Sequence, residues 1–220
     1  MVKKKEKKSL VFQWAWIAGV VIIGLSILQS ILENIFVSFS FMAVVNLVFT
    51  SIQILGVFIF TYAFYRLGRK YNSKFLRIIS IILIALTILG SLLLIFYIDP
   101  IGDSIVNKVR DTSQSLGINV ASMTSEQEQL FGAALLEDEN LMQQIYTFLG
   151  IIAAFFIFLS LFSILFGIAL LGIRKKVKYA KIAGILEIIG GFTLIIFVGF
   201  ILMLVAFVFE IIILKREADS

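Results

Sequence analysis

Two glutamates carry the sharpest chemical signal in this chain. Glu187 and Glu210 lie within "KIAGILEIIGGFTLIIFVGFILMLVAFVFEIIILK", Lys181 to Lys215, which holds no other charge between its end lysines. A carboxyl group within a hydrocarbon layer is costly, and by default it marks a proton or cation pathway. The competing reading makes them interface acids paired with Lys181, Arg216 or a neighbouring connector. If the stretch folds back near Gly199, both acids are equidistant from the turn and sit at nearly one depth. Carboxylates brought that close repel, and a shared proton, a nearby Lys or Arg, or a bound cation relieves the repulsion. If they face different neighbours, no special chemistry follows.

Other polar residues read more plainly. Glu33 reads as an interface residue at the end of the first apolar run. Gln13, Gln29, Asn46 and Gln53 fall in or beside the first two runs, where hydrogen bonding between helices is their expected use. Ala15/Gly19, Ser163/Gly167 and Ala180/Gly184 have the small-xxx-small spacing that lets helices approach closely. "EDE" at Glu137–Glu139 offers oxygen ligands for a divalent cation, without the spacing of a calcium-binding loop; a solvated face is the expected use. No cofactor is expected.

The chain has neither cysteine nor histidine. That removes disulfides, thiolate chemistry, Cys/His zinc sites and His-based nucleophile activation. No phosphate-binding loop, dinucleotide fingerprint or nucleophile elbow occurs. The chain is therefore expected to be non-enzymatic.

The elements that must position these residues are membrane helices. Of 220 residues, 60% are hydrophobic and 15% charged, against about 25% charged in soluble domains. The apolar residues come in long uncharged runs, the signature of transmembrane helices, and the 22 phenylalanines scattered along them read as lipid-facing and packing residues. The expected spans are 10–32, 41–65, 78–98, 145–173, 182–197 and 199–214. The first, behind a basic tail, reads as an uncleaved signal anchor. Pro100 is expected to close the third by pushing Asp99 out of helical geometry. Residues 99–143 hold eight acids and two bases. Within them Ser125 and Glu128 fit a capping box. A stripe of Leu130, Ala134, Leu141 and Ile145 predicts a helix from about Glu126 into the fourth span.

Charge asymmetry sets the expected topology. The tail, the 66–77 connector and the 174–181 connector each hold five Lys or Arg. This places all three in the cytoplasm and residues 99–143 outside, in a multi-pass protein of the cell membrane. All six tyrosines and both tryptophans fall near span ends, the depth that amphipathic rings prefer. The bilayer, with anionic lipid at its cytoplasmic face, is a sufficient partner for the basic connectors. A protein partner or a second copy of the chain also fits, and nucleic acid is not expected.

Length alone leaves open whether Lys181–Lys215 crosses once or twice. As one helix it would be about 50 Å long against a core of about 30 Å. As two, each arm is short, and the turn near Val198–Gly199 lacks polar residues. Lys215 and Arg216 favour the cytoplasm and hence an even number of spans. A faint echo, "IAG" at Ile17–Gly19 and again at Ile182–Gly184, points the same way.

"AGILEIIGGFTLIIFVGFILMLVAFVFEIII", Ala183–Ile213, resembles the C-terminal signature of a largely archaeal family of integral membrane proteins known as domain of unknown function 996. Gly190, Gly191, Gly199 and Phe200 fit its pattern of glycine-bearing helix, glycine–aromatic turn and second helix, and "YRLGRKYNSKFLR" resembles its basic link between early and middle spans. The acidic 99–143 segment, Glu187 and Glu210 depart from that pattern. The resemblance implies a multi-span bundle and supplies no activity. The expectation is thus an all-α polytopic bundle of six spans, with five as the alternative, and one external helical segment. Its expected role is that of a structural, accessory or scaffold component; the alternative is a small transporter or channel using Glu187 and Glu210.

Overall fold

The computed structural model describes residues 9–35, 42–119, 122–194 and 198–220. Every regular element among them is helical: α1 (Leu10–Ile35), α2 (Met42–Lys70), α3 (Lys74–Leu93), a π-helical turn (Leu94–Ile98), α4 (Asp99–Ser115), α5 (Ser125–Glu137), α6 (Glu139–Gly172), α7 (Ala180–Thr193) and α8 (Val198–Asp219). Among the described residues, five stretches are long and apolar enough to cross a membrane: Leu10–Leu32, Val45–Lys70, Lys74–Ser115, Glu139–Gly172 and Val198–Asp219. The chain is a membrane protein built from helices, the structure that satisfies every backbone polar group internally in lipid. Helix α7, at 14 residues, is about 21 Å long and falls short of a full crossing.

The chain divides into two compact units. The first holds the described residues up to Ile88 and from Phe158 onward. Its helix directions follow from which residues meet. Gln53 Nε2 donates to Ser26 Oγ at 3.2 Å while the Lys70 ammonium lies 5.9 Å from the Phe12 ring, so α1 and α2 are antiparallel. Phe60 stacks near Phe207 at 4.6 Å, and Lys70 pairs with Glu217, so α2 and α8 run parallel. Ser160 meets Gly191 and Ser163 meets Glu187, which makes α6 and α7 antiparallel. The core between these helices holds Phe64, Leu67, Leu76, Leu170, Ile173, Ile213 and Leu214, all nearly inaccessible, with Phe64 edge-on to Phe166 at 5.1 Å. Of the phenylalanines, these pack inward, whereas Phe192 and Phe200 lie exposed.

The α2–α3 turn is sharp because its sequence fits a Schellman closure. Asn72 takes the left-handed conformation at φ 55°, Ser73 N–H donates to Gly68 O, and Asn72 N–H donates to Arg69 O. Ser73 then caps α3, accepting from Leu76 N–H at 3.3 Å.

One end of this unit gathers the two basic connectors and the end of α8. Lys70 donates to Glu217 at 2.7 Å and to Ser220 Oγ at 3.2 Å, Tyr71 Oη donates to Glu217 at 2.9 Å, and Lys176 donates to Tyr71 O at 3.2 Å. Burial, followed by the hydrogen bond to Glu217 and its charge, pushes the Tyr71 phenol up to about 12. The fold thus favours the neutral phenol. Its contribution to stability is full below the ordinary value of 10.0 and is lost as pH rises through about 12. A phenolate absorbance titration of the wild type minus that of Tyr71→Phe should show a component near 12; a difference titrating near 10 would contradict both the burial of Tyr71 and its contact with Glu217.

The second unit, Leu89–Ile157, contains α4 and α5. Lys108 pairs with Asp138 at 2.7 Å and Ser104 Oγ donates to Gln144 Oε1 at 3.0 Å. Asp138 also accepts from Leu141 N–H at 3.0 Å, capping α6. The Lys108 hydrogen bond, helped by that cap, holds the Asp138 carboxyl below its ordinary value.

Several expectations fail in this region. Pro100 does not end a helix: Ile98 is right-handed helical and α4 starts at Asp99, with the proline in its first turn. The π-helical turn at Leu94–Ile98 widens the backbone just before the ring, which makes room for a proline, and for its missing N–H, inside a continuous helical run. Helix α4 was not expected, since its residues 99–115 read as a polar connector. The capping box lies one residue earlier than Ser125/Glu128. Thr124 Oγ1 accepts from Gln127 N–H and Gln127 Oε1 accepts from Thr124 N–H. "TSEQE" holds two overlapping boxes, and the Thr124 one is used. Nor does α5 run into α6, because Asp138 is extended at ψ 93° and starts a new helix. The break resets the helical phase, so Phe131 and Leu141 are buried while Leu130 and Tyr146 are exposed.

Candidate functional site

Glu187 projects from α7 and Glu210 from α8, and the two meet. Their exposures are 6% and 3%, and that of Ser163 on α6, the third polar side chain present, is 5%. Ser163 Oγ donates to the Glu187 backbone carbonyl at 2.7 Å and is also in hydrogen-bond contact with Glu187 Oε2. The two carboxyl groups are close neighbours. Among the described residues Glu210 Oε1 is buried without a hydrogen-bond partner.

Glycines bring the three helices this close. A Cβ on Gly167 would lie 2.5 Å from Gly184 O, and one on Gly184 would lie 2.6 Å from Gly167 O. Backbone therefore touches backbone where α6 crosses α7. One turn away on each helix stand Ser163 and Glu187. Further along, Ser160 Oγ donates to Gly191 O at 2.7 Å, and a Cβ on Gly191 would fall 2.8 Å from Ser160 O. Gly190 plays the same part toward α8, where a Cβ would meet Met203 Cγ at 2.7 Å. At the other end of α7, Tyr179 takes a left-handed conformation at φ 71°, its ring 6.0 Å from that of Phe209.

Pairing of these acids with Lys181 or Arg216 is not found. The ion pairs among the described residues are Lys70–Glu217 and Lys108–Asp138. Depth explains the difference: the glycine crossings sink Glu187 and Glu210 between helices instead of leaving them at the edge. The "EDE" acids do not cluster, since Asp138 is taken up by Lys108 and the α6 cap. Among the described residues, no three acids are placed to hold a metal ion.

Gln53 makes the interhelical bond expected of it, and Asn46 Oδ1 is buried without a hydrogen-bond partner among the described residues. The Glu33 side chain lies outside the described residues, as do the basic tail and residues 195–197 of the α7–α8 turn. The two "IAG" glycines have different partners: Gly19 abuts Ile211 and Phe60, whereas Gly184 abuts Gly167. Sequence reasoning valued Ser163 only as a small residue and missed Ser160. The 3- and 4-residue steps linking Ser160, Ser163 and Gly167 on one helix face were the available signal.

Comparison with models of protein families, with curated proteins and with solved structures finds no match.

Proposed function

We propose that this chain is a small ion-handling protein of the cell membrane, and that the Glu187–Glu210 pair is its working site. The observation that carries this reading is the meeting of two carboxyl groups, both buried, without a Lys or Arg partner among the described residues. Breaking up buried charge is expensive, and a purely structural core is served as well by apolar side chains of the same volume. An intramembrane pair held this way favours the uptake and release of a cationic species.

The proposed architecture has six crossings, the last two made by Lys181–Lys215 as a hairpin in which α7 is the helical part of the shorter arm and α8 the longer arm. Both basic connectors and the end of α8 gather at one end of the first unit, which supports an even number of crossings. In this reading that end and the N-terminus are cytoplasmic, facing anionic lipid, and residues 99–143 lie outside. Membership of the domain of unknown function 996 family remains a proposal resting on Ala183–Ile213.

A second reading, the static structural or accessory component, draws support from the α6–α7 crossing. Backbone contact at Gly167 and Gly184 leaves little room for these helices to slide. Flux separates the two. Protein reconstituted in liposomes under an imposed pH or cation gradient should dissipate it, and Glu187→Gln should lower the rate at least about tenfold, a barrier change of about 1.4 kcal/mol. Equal rates for protein, variant and empty liposomes would leave the structural reading.

A further inference from the structure

We propose that Ser163, Glu187 and Glu210 form a single site whose ligand is the proton, held along the chain Glu210–Glu187–Ser163, and not a metal cation. This deepens the ion-handling reading, on which it rests for its biological purpose, by naming the ion.

The contacts within the site fix how many hydrogens it must hold. Three oxygen–oxygen contacts link these residues: Ser163 Oγ with the Glu187 carbonyl, Ser163 Oγ with Glu187 Oε2, and carboxyl with carboxyl. A serine hydroxyl brings one hydrogen, which its two acceptors on Glu187 can share, and an ionised carboxylate brings none. Two ionised carboxylates would leave the contact between the carboxyls as bare oxygen against oxygen. One neutral carboxyl supplies the missing hydrogen. A second completes the chain: Ser163 donates to the Glu187 carbonyl, Glu187 donates to Ser163 Oγ, and Glu210 donates to Glu187.

The unpartnered oxygen points the same way. Glu210 Oε1 is buried on a residue 3% exposed and meets no donor among the described residues. On a carboxylate that atom would carry unpaired buried charge, whereas on a neutral acid it is a carbonyl oxygen, much cheaper to leave bare. It is also the place where an arriving hydronium ion or water would bind. Loading transfers one proton from hydronium to a carboxylate, giving a carboxylic acid and water, and release is the reverse.

Among the described residues the surroundings supply no competing charge. From α6 the site is faced by Ser163, while Ser160 commits its hydroxyl to Gly191 O. Glu187 from α7 and Glu210 from α8 are the titratable groups. On the side of α1 and α2, Gly19 and Phe60 pack against Ile211, next to Glu210 in sequence. Oxygens around a metal ion stand apart, each facing the ion, rather than in mutual hydrogen-bond contact, and metals of the calcium type take 6–8 of them.

Infrared spectroscopy of the full chain in lipid vesicles tests this. At neutral pH the exposed acids are carboxylates, so the carbonyl stretch of a protonated carboxylic acid isolates the buried pair. The wild type should show that band, shifting in heavy water. Glu210→Gln should diminish it, and Ser163→Ala should move its frequency while keeping it. Sodium or potassium chloride at constant pH should leave it unchanged. Absence of the band in the wild type, or its loss on adding either salt, overturns the proposal; should the variants fail to fold, the wild-type band and its salt response still decide. A band without flux supports the proton site and removes the transport reading, whereas flux without a band does the opposite.

Discussion

Valine at Gly184 is expected to separate α7 from α6 and to be strongly destabilising. Its Cβ would lie 2.6 Å from Gly167 O and 3.1 Å from Leu171 Cγ. The leucine can turn aside, but the carbonyl belongs to helix backbone and cannot move without its helix. Overpacking of this kind costs about 1–3 kcal/mol and sometimes more, and a branched side chain against backbone belongs at the upper end. Alanine at the same position should cost less, since helix propensity returns up to about 1 kcal/mol. Gly24 is the control, because a Cβ there meets nothing within 4 Å, and Gly24→Ala should be neutral or slightly stabilising. Thermal unfolding in detergent should rank Gly184→Val well below Gly184→Ala, and both below Gly24→Ala. Equal midpoints would contradict the backbone contact between α6 and α7. The same variant should also disturb Ser163 and Glu187, which stand one turn from the crossing.

Much of this architecture was legible because lipid restricts what a chain can do. Long uncharged runs become helices, and the helices appear where the runs are. Their ends overshoot: α2 reaches Lys70 and α6 starts at Glu139, because flanking polar residues are also good helix formers and extend a helix once it exists. The acidic 99–143 region was read least well. There proline, caps and breaks compete locally, and no bilayer settles the outcome. Pro100 looked like a terminator, yet the wide turn before it lets a new helix begin. Asp138 looked like one member of an acidic run; it caps α6 through a local bond, and its pairing with Lys108 joins residues 30 apart in sequence.

The carboxyl pair was half legible. Equal spacing of Glu187 and Glu210 about the turn forecasts a common depth, and the structure brings them together. Spacing along one stretch says nothing about the third helix, so Ser163 entered the site only through the Gly167–Gly184 crossing. Nor could spacing choose between burial and pairing with Lys181 or Arg216. That choice depends on how closely helices approach, a matter of glycine positions on two separate segments.

Everything proposed for Glu187 and Glu210 depends on Lys181–Lys215 crossing the membrane and returning. Because the chain lacks cysteine, an impermeant maleimide tests this directly. Single cysteines are placed at Lys175, in the connector before α7, at exposed Leu130 in α5, and after Ser220. In right-side-out vesicles only the Leu130→Cys protein should be labelled, and in inverted vesicles only the Lys175→Cys protein and the C-terminal cysteine. A C-terminal cysteine labelled from the side opposite Lys175→Cys would mean a single crossing, with the two glutamates at opposite faces of the membrane and no site between them.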